Sequence, residues 1–319
     1  MLPDGRLGVP LAGEGEIRVF DAEGAFTGSL GRQGEGPGEF AALSSAWIHG
    51  DTIEAGDGRL RRITRFLPDG NVEVIPLRAD VPEGTLPAGL LQDGWVVVGV
   101  AGSEMNGRDM IAVHGFSRDG AHLGELARTE GIERIVVPGG SGVHPLSPRA
   151  VVRIGNDKVY VGETESALIR VFDPEGEIQQ EITWDVAHGR EPEATLRMVQ
   201  EASDPHPLFE HLLPGVPTPE RLSVFWDFLV DELGFVWVRE YDPMKHAAAL
   251  GGLEGGDYVI SPAGGGGRWL VLSPDGEVSG SVEVPAGLRP SQITTDRLVG
   301  VHVDPLGVES VQVHSLSRK

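Results

Sequence analysis

The sequence predicts an all-β fold, a six-bladed β-propeller made of four-stranded antiparallel blades. Three observations support this prediction: a hairpin motif that occurs five times, a regular spacing between its first copies, and a composition rich in turn residues. Glycine and proline account for 46 and 23 of the 319 residues, which favours many tight turns over long helices. A single domain of this length is common among all-β folds.

Each copy of the motif is an alternating apolar run, an acidic-Gly turn and a second alternating run. Two examples are "IRVFDAEGAFTGSL", which begins at Ile17, and "IRVFDPEGEIQQEI", which begins at Ile169. Because glycine readily adopts the positive φ that such a turn requires, the motif predicts a β-hairpin. The turn glycines are Gly24, Gly70, Gly120, Gly176 and Gly276, so successive copies are 46, 50, 56 and 100 residues apart. The first three spacings suit one propeller blade each.

The spacing of 100 residues holds one further blade and a short helical insertion between blades four and five. "EPEATLRMVQEAS" (191–203) predicts a helix that starts near Pro192 and places Leu196 and Val199 on one face, and "PLFEHLL" (207–213) suits a second short helix. The predicted limits are about 1–31 for blade 1, 41–78 for blade 2, 86–128 for blade 3, 148–184 for blade 4, 185–220 for the insertion, 221–285 for blade 5 and 290–319 for blade 6.

The two terminal blades are predicted to be incomplete. Blade 1 lacks its innermost strand and blade 6 its outermost strand, so the pattern yields 22 strands instead of 24. We therefore expect the natural gene to begin earlier, by about 30–40 residues on the usual size of two strands with their loops. An unsealed ring is expected to be marginally stable or to associate through its open edges.

The segment "GRQGEGPGEF" (31–40) has the glycines of a phosphate-binding loop but not the Lys or the following helix, so it is predicted to be a tight crossover between blades. Together with the hairpin before it, "IRVFDAEGAFTGSLGRQGEGPGEF" resembles the hallmark of a bacterial family of NHL-like six-bladed β-propellers. The later segments "LVDELGFVWVREY" and "WLVLSPDG" are similar to the closing blades of that family. The resemblance implies the fold and a periplasmic or secreted location, whereas most members have no assigned reaction. The chain begins without a signal peptide, so a cytoplasmic location stays open.

Charge and composition exclude several classes of function. The 48 acidic and 26 basic residues give a net charge of −22, which argues against nucleic acid as a partner because phosphate contacts need clustered Lys and Arg. The absence of cysteine excludes disulfides, thiolate catalysis and Cys-based zinc sites. No apolar run approaches the ~18 residues of a membrane span.

The candidate binding residues lie at one predicted mouth of the central channel. The loops that enter each inner strand and those that join the two middle strands should meet there, and the helical insertion should form a lid or a partner platform on the same mouth. The residues that this rule selects are Arg32, Glu35, Glu39, Asp57, Arg59, Arg61, His144, Arg149, Glu163, Arg239, Glu240, Tyr241 and His246. The ten histidines form no metal-binding pattern, so no cofactor is predicted, although a calcium or zinc ion in the channel stays open.

Two functions fit this sequence. The first is a non-catalytic binding or scaffold propeller that recognises a small molecule, a glycan or a protein at the channel mouth. The alternative is a propeller hydrolase or lyase, similar to metal-dependent lactonases or peptide-amidating lyases, which needs three or four ligating side chains around one point. The predicted inner strands offer mainly His49, Asp227 and Gln292, so the sequence favours the binding propeller and leaves the oligomeric state open.

Overall fold

A computed structural model describes residues 1–78, 85–103, 106–137, 140–186, 191–201, 215–244, 266–304 and 306–318. Over these residues the protein is an all-β, six-bladed propeller of antiparallel sheets with one short helix. The predicted fold class is therefore confirmed. The chain divides into two compact units, Met1–Val100 with Ala112–Leu126 and Ala101–Ile111 with Ala127–Lys319.

The first unit contains the first two sheets and part of the third. The first sheet has three strands in the order β1-β2-β3, and the second has four in the order β4-β5-β6-β7. Their bounds are β1 Leu7–Leu11, β2 Glu16–Phe20, β3 Phe26–Leu30, β4 Leu43–His49, β5 Thr52–Asp57, β6 Arg62–Phe66 and β7 Val72–Pro76.

The third sheet has five strands in the order β12-β11-β10-β9-β8, and its residues belong to both units. Its bounds are β8 Leu86–Leu91, β9 Gly94–Gly102, β10 Gly107–Ser117, β11 His122–Val137 and β12 Gly140–Val143. The sequence pattern did not predict β12, which raises the number of strands to 23 among the described residues.

The second unit contains the remaining three sheets, in the orders β13-β14-β15-β16, β17-β18-β19-β20 and β21-β22-β23. Their bounds are β13 Ala150–Gly155, β14 Lys158–Glu163, β15 Leu168–Phe172, β16 Ile178–Thr183, β17 Phe225–Val230, β18 Val236–Glu240, β19 Gly267–Leu272, β20 Val278–Val284, β21 Leu288–Ile293, β22 Arg297–Val303 and β23 Glu309–Ser315.

The helix α1, Pro192–Glu201, confirms the first helix of the predicted insertion. Pro192 occupies its first turn, where a missing N–H costs nothing, and the buried Leu196 and Val199 form its inner face. The predicted second helix at 207–213 lies outside the described residues. No helix in the described ranges is long and apolar enough to cross a membrane.

The repeated hairpin turns have the geometry that their sequence predicts. In the first of them, the Asp21 carboxylate accepts the N–H groups of Glu23 at 3.1 Å and of Ala25 at 2.7 Å. Asp173 forms the same pair of contacts in the fourth sheet. The turn glycines have φ values of 87° at Gly24, 86° at Gly70, 82° at Gly120, 90° at Gly176 and 88° at Gly276. An L-residue rarely adopts this conformation, which explains the recurring glycine.

Neighbouring sheets pack face to face through large apolar side chains. Between the fourth and fifth sheets, Ile169 and Val171 of β15 pack with Phe225 and Phe228 of β17, and all four are at most 1% exposed. In the first unit, Ile63, Trp95 and Phe116 fill the corresponding space between the second and third sheets. The first strands β13, β17 and β21 are neighbours, as are β4 and β8, which is the radial order of a propeller.

Candidate functional site

The glycine-rich loop 31–40 is held by its own side chains and by Arg62. Glu39 accepts the Gly36 N–H at 2.8 Å and pairs with the exposed Arg32 at 2.6 Å. The Gly36 N–H first and Arg32 second hold the pKa of Glu39 below its usual range. Arg62 donates to the carbonyls of Glu35, Gly36 and Glu39 at 2.7–3.0 Å. Arg32 and Glu39, both predicted site residues, therefore help to hold the loop that connects the first sheet to the second.

Asp57 is a buried structural residue. Its two carboxylate oxygens accept four backbone N–H groups, from Ala41 at 2.7 Å, Ala42 at 3.3 Å, Arg59 at 3.0 Å and Leu60 at 2.8 Å. Asp57 is 0% exposed, so a ligand would have to displace one of these bonds to reach it. Asp57 therefore ties the segment that precedes β4 to the turn that follows β5.

His144 is also buried and fully engaged. Its Nδ1 accepts the Leu146 N–H at 3.1 Å, so its Nε2 carries the proton and donates to the Pro217 carbonyl at 2.9 Å. Burial lowers the pKa of His144, which keeps the ring neutral near pH 7. The side chain therefore ties the segment that precedes β17 to the segment that precedes β13.

Four charged side chains meet around β17. Asp227 on β17 is 0% exposed, and its Oδ1 accepts Arg153 of β13 at 2.6 Å and the Phe228 N–H at 2.7 Å. Arg239 on β18 is the cross-strand partner of Asp227. Arg149 donates to the Trp226 carbonyl at 3.1 Å, and its guanidinium lies 4.2 Å above the Trp226 ring. We call Arg149, Arg153, Asp227 and Arg239 the arginine cluster.

The arginine cluster holds three cations around one carboxylate. Burial lowers the pKa of Arg149 to about 10, and the like charges of Arg153 and Arg239 add to this effect, whereas Asp227 opposes it. Burial likewise lowers the pKa of Arg239. Arg149 and Arg239 are 2% and 3% exposed, so the cluster is an internal charge network of the second unit.

A pocket of about 580 Å³ opens where β16 and β18 end and β17 and β19 begin. Its aromatic wall consists of Trp184, Phe225 and Tyr241. The Trp184 and Phe225 rings meet edge to face with centroids 5.4 Å apart, and Tyr241 stacks on Trp226 at 6.3 Å. The other lining residues are Asp185, Val186, Pro192, Arg221, Leu222, Ser223, Val224, Val238, Glu240, Arg268 and Leu270.

The rim of this pocket carries two cations and two anions. Arg268 pairs with Glu240 at 3.3 Å, and both side chains are about half exposed. Arg221 pairs with Glu165 at 3.2 Å, and Asp185 is exposed. Exposed pairs of this kind contribute only about 0–1 kcal/mol, so a ligand can exchange them for its own hydrogen bonds at low cost. The charges of the four charged residues that line the pocket, Asp185, Arg221, Glu240 and Arg268, sum to zero.

Several predicted site residues therefore have separate roles. Glu240 and Tyr241 line the pocket, Arg149 and Arg239 belong to the arginine cluster, and Glu163 accepts a hydrogen bond from Thr129 at 2.8 Å. Glu35 and Arg59 are exposed, Arg61 is half-buried with a φ of 50°, and His246 lies outside the described residues.

Sequence reasoning missed the residues that complete the pocket. Trp184 and Phe225 were not selected because the rule took only polar loop residues, and Arg268 lies on a strand that the rule did not consider. A signal for Trp184 exists, since "EITWD" places a large aromatic residue directly after the outer strand β16. Among the described residues, no group of three or more His, Asp or Glu side chains is arranged to hold a metal ion.

Comparisons with known proteins agree with the architecture. The DUF5128 family model, described as 6-bladed beta-propeller, matches residues 10–70. No curated protein matches the chain.

Solved structures with which the chain aligns include three bacterial proteins. A member of the DUF4221 family from Bacteroides vulgatus is 11% identical, with 94% of this chain and 86% of that chain covered and a TM-score of 0.49. A gluconolactonase from Xanthomonas campestris is 13% identical, with 94% and 79% covered and a TM-score of 0.47. Virginiamycin B lyase from Staphylococcus aureus is 12% identical, with 100% and 84% covered and a TM-score of 0.45. The six-bladed β-propeller architecture itself rests on the sheet order described above and agrees with the description of the matching family model.

Proposed function

We propose that this protein is a non-catalytic binding propeller that recognises a neutral, hydroxyl-rich ligand, a glycan, in the pocket beside β17, β18 and β19. The observation that carries the proposal is the pocket itself, which combines an aromatic wall with a rim of opposite charges that sum to zero. Concave sites with an apolar lining and a few convergent polar groups are the usual place for small-molecule binding.

The aromatic wall suits the apolar face of a sugar ring. Trp184 and Tyr241 are half-buried, so each ring is fixed by packing on one side and is open in part on the other. Trp184 combines an apolar body with a polar indole N–H, which is the property that favours this residue at binding surfaces, whereas Tyr241, whose hydroxyl is buried, offers its ring. Because Tyr241 is stacked on Trp226 and Trp184 packs edge to face against Phe225, little side-chain entropy remains to be lost on binding.

The rim favours a neutral ligand over a charged one. Arg268 and Arg221 supply N–H donors, Glu240 and Asp185 supply acceptors, and a hydroxyl group can use both kinds of partner. An anionic ligand would meet two carboxylates and a chain of net charge −22, whereas a cationic ligand would meet two guanidinium groups. A polyol meets neither penalty.

The alternative, a hydrolase or lyase, stays a prediction. It requires a catalytic or metal-binding group, for which metal analysis of the purified protein is the direct measurement. A metal ion bound at unit stoichiometry would favour that alternative over the binding propeller.

Isothermal titration with neutral oligosaccharides, uronic acids and amino sugars tests the proposal. We expect neutral sugars to bind best, and we expect Tyr241→Ala and Arg268→Ala each to weaken binding about tenfold, the equivalent of ~1.4 kcal/mol. Phe26→Ala is the matched control for loss of an aromatic ring, since Phe26 is 59% exposed on β3. Binding that is unchanged in both pocket variants, or no sugar binding at all, would contradict the proposal.

A further inference from the structure

Two histidine side chains meet on the hairpin that β10 and β11 form in the third sheet. His114 lies in β10, His122 begins β11, and the acidic-Gly turn between the two strands brings the side chains together. The Nε2 atom of His122 lies 3.2 Å from the Nδ1 atom of His114, and the ring centroids are 5.2 Å apart. Both residues belong to the first unit. The sequence pattern did not reveal this pair, because eight residues separate its members and only the hairpin makes them neighbours.

The packing of the hairpin holds both rings in place. His114 is 8% exposed, and the fully buried Phe116 packs against the His122 ring with centroids 5.2 Å apart. Phe116 packs in turn with Ile63 and Trp95 in the core between the second and third sheets. His122 is exposed, so the pair lies at the surface of the first unit. The two facing nitrogen atoms are therefore fixed close together at a place that a solvated ion can approach.

The separation of these nitrogen atoms fits a metal ion. Two imidazole nitrogens that bind one tetrahedral Zn²⁺ ion at about 2.0–2.1 Å are about 3.3–3.4 Å from each other. The observed separation of 3.2 Å is close to this value. In the neutral pair one ring donates its N–H to the other, and transfer of that proton to the far nitrogen of the same ring frees both lone pairs without net loss of a proton. A small rotation of the exposed His122 ring would then direct both lone pairs at one ion.

We propose that His114 and His122 bind a divalent transition-metal ion, Zn²⁺ or Cu²⁺, with water in the remaining positions. Neutral imidazole is a good ligand for these ions, whereas Mg²⁺ and Ca²⁺ prefer oxygen ligands. The net charge of −22 favours cations near the chain in general. The proposal is independent of the glycan pocket, because it rests on other residues, which belong to the first unit.

Isothermal titration with ZnCl₂ of the full chain, first treated with EDTA and desalted, tests the proposal. We expect one site with a dissociation constant of about 1–100 µM, because two ligands supply roughly half of the contacts of a four-ligand structural site. Cu²⁺ should bind more tightly than Zn²⁺, and Mg²⁺ and Ca²⁺ should not compete for the site.

His122→Gln is the decisive variant, because His122 is exposed and glutamine can still form a hydrogen bond with His114. We expect this variant to raise the dissociation constant for Zn²⁺ at least about tenfold. His314→Gln is the matched control, since His314 is an exposed histidine on β23 that contacts Gln312 and not a second histidine, and its affinity should equal that of the wild type. Thermal unfolding without metal establishes that both variants are folded.

Nuclear magnetic resonance of the chain labelled with ¹⁵N-histidine distinguishes this geometry from binding by other side chains. Zn²⁺ should shift the signals of one Nδ1 atom and one Nε2 atom, each in a different ring. In His122→Gln the same concentration of Zn²⁺ should leave the Nδ1 signal of His114 in place.

The proposal is wrong if the wild type binds Zn²⁺ no better than His122→Gln does, or if His314→Gln weakens binding equally. Competition by Ca²⁺ or Mg²⁺ at equal concentration would also contradict it, because carboxylates would then be the ligands. The purified His122→Gln variant also separates this site from the ion that the hydrolase or lyase alternative requires, because only an ion bound elsewhere would remain in it.

Discussion

Removal of the Asp227 carboxylate is expected to destabilise the second unit more than any surface substitution. Asp227→Asn keeps the size of the side chain but removes the anion from a cluster that contains three guanidinium groups. The ion pair with Arg153 is 2.6 Å long, and its side chains are 13% and 1% exposed, so water cannot replace the lost charge. Loss of one partner of a buried pair typically costs about 3–5 kcal/mol.

The lowered pKa of Arg149 reflects the cost of burying positive charge in this cluster. Burial lowers this pKa from its usual range to about 10 even though the nearby Asp227 raises it. At ~1.4 kcal/mol per pKa unit, the charged form of Arg149 already costs the folded state about 3 kcal/mol. Without Asp227 this cost increases, because the like charges of Arg153 and Arg239 are then uncompensated.

Equilibrium unfolding in guanidinium chloride, followed by circular dichroism, measures the effect. We expect Asp227→Asn to lower the free energy of unfolding by about 4 kcal/mol, the middle of the range for a broken buried pair. For 319 residues that unfold together, the unfolding entropy near 60 °C is about 0.7 kcal/mol per degree, so the Tm should fall by about 6 °C. Asp296→Asn is the matched control, since Asp296 is 74% exposed and its pair with Arg297 is 4.0 Å long.

A double-mutant cycle tests the cause. Arg149→Met removes one buried cation while it keeps an apolar side chain over Trp226, so Asp227→Asn should cost at least about 1 kcal/mol less in that background. A loss below about 1 kcal/mol for Asp227→Asn alone, or a loss that is identical in both backgrounds, would refute the electrostatic account.

Three further predictions concern single structural residues. Gly31→Ala should destabilise the protein by about 1–3 kcal/mol, because Gly31 has a φ of 80° and a Cβ there would lie 2.5 Å from the Phe40 ring. Gly13→Ala is the control, since Gly13 has open space around it, and it should change stability by less than about 0.5 kcal/mol in the same denaturation assay. Asp57→Asn should cost about 1–3 kcal/mol in unfolding free energy, because an amide cannot accept all four backbone N–H groups, and a neutral result would contradict the structural role of Asp57. Burial lowers the pKa of His144 below 6.5, so below about pH 6.5 the unfolded state binds a proton that the folded state does not. The free energy of unfolding should therefore fall as the pH decreases below about 6.5, by up to ~1.4 kcal/mol per pH unit. Thermal unfolding across that pH range should show a smaller slope for His144→Gln.

The hairpins could be predicted from the sequence because their causes are local. A turn such as that of Asp21 and Gly24 needs one side chain that accepts neighbouring N–H groups and one residue with positive φ, and both are visible in four consecutive letters. Helix α1 was predictable for the same reason, from Pro192 and the spacing of its apolar residues. Because the hairpin motif occurs five times at a regular spacing, these local signals together predict the propeller fold.

The candidate site could be predicted only in part because burial depends on contacts between distant segments. Arg149 and Arg239 were selected as channel-mouth residues, yet both are buried beside Asp227, which is 78 residues from Arg149 along the chain. The local sequence of Asp57 accounts for the N–H groups of Arg59 and Leu60, but nothing in it indicates those of Ala41 and Ala42. The strand β12 was missed because a glycine- and serine-rich segment has little strand propensity and is placed by its pairing with β11.

The charged residues of this acidic protein fall into two energetic classes, and only one of them suits ligand binding. Glu54 accepts the indole N–H of Trp95 at 2.7 Å and pairs with Arg118, and Asp231 accepts that of Trp237 at 2.9 Å and pairs with Arg318 at 2.7 Å. These two carboxylates are at most 2% exposed, and loss of one partner of a buried pair typically costs about 3–5 kcal/mol, so a ligand could recruit either one only at a high cost.

The rim pair of Arg268 with Glu240 is different, because both side chains are about half in water and the pair contributes little to stability. A ligand can therefore recruit Arg268 without loss of fold stability. This difference predicts that Arg268→Ala leaves the Tm within about 2 °C of the wild type. A large drop in Tm would mean that Arg268 is structural, and the pocket would then lose the donor that the proposed glycan needs.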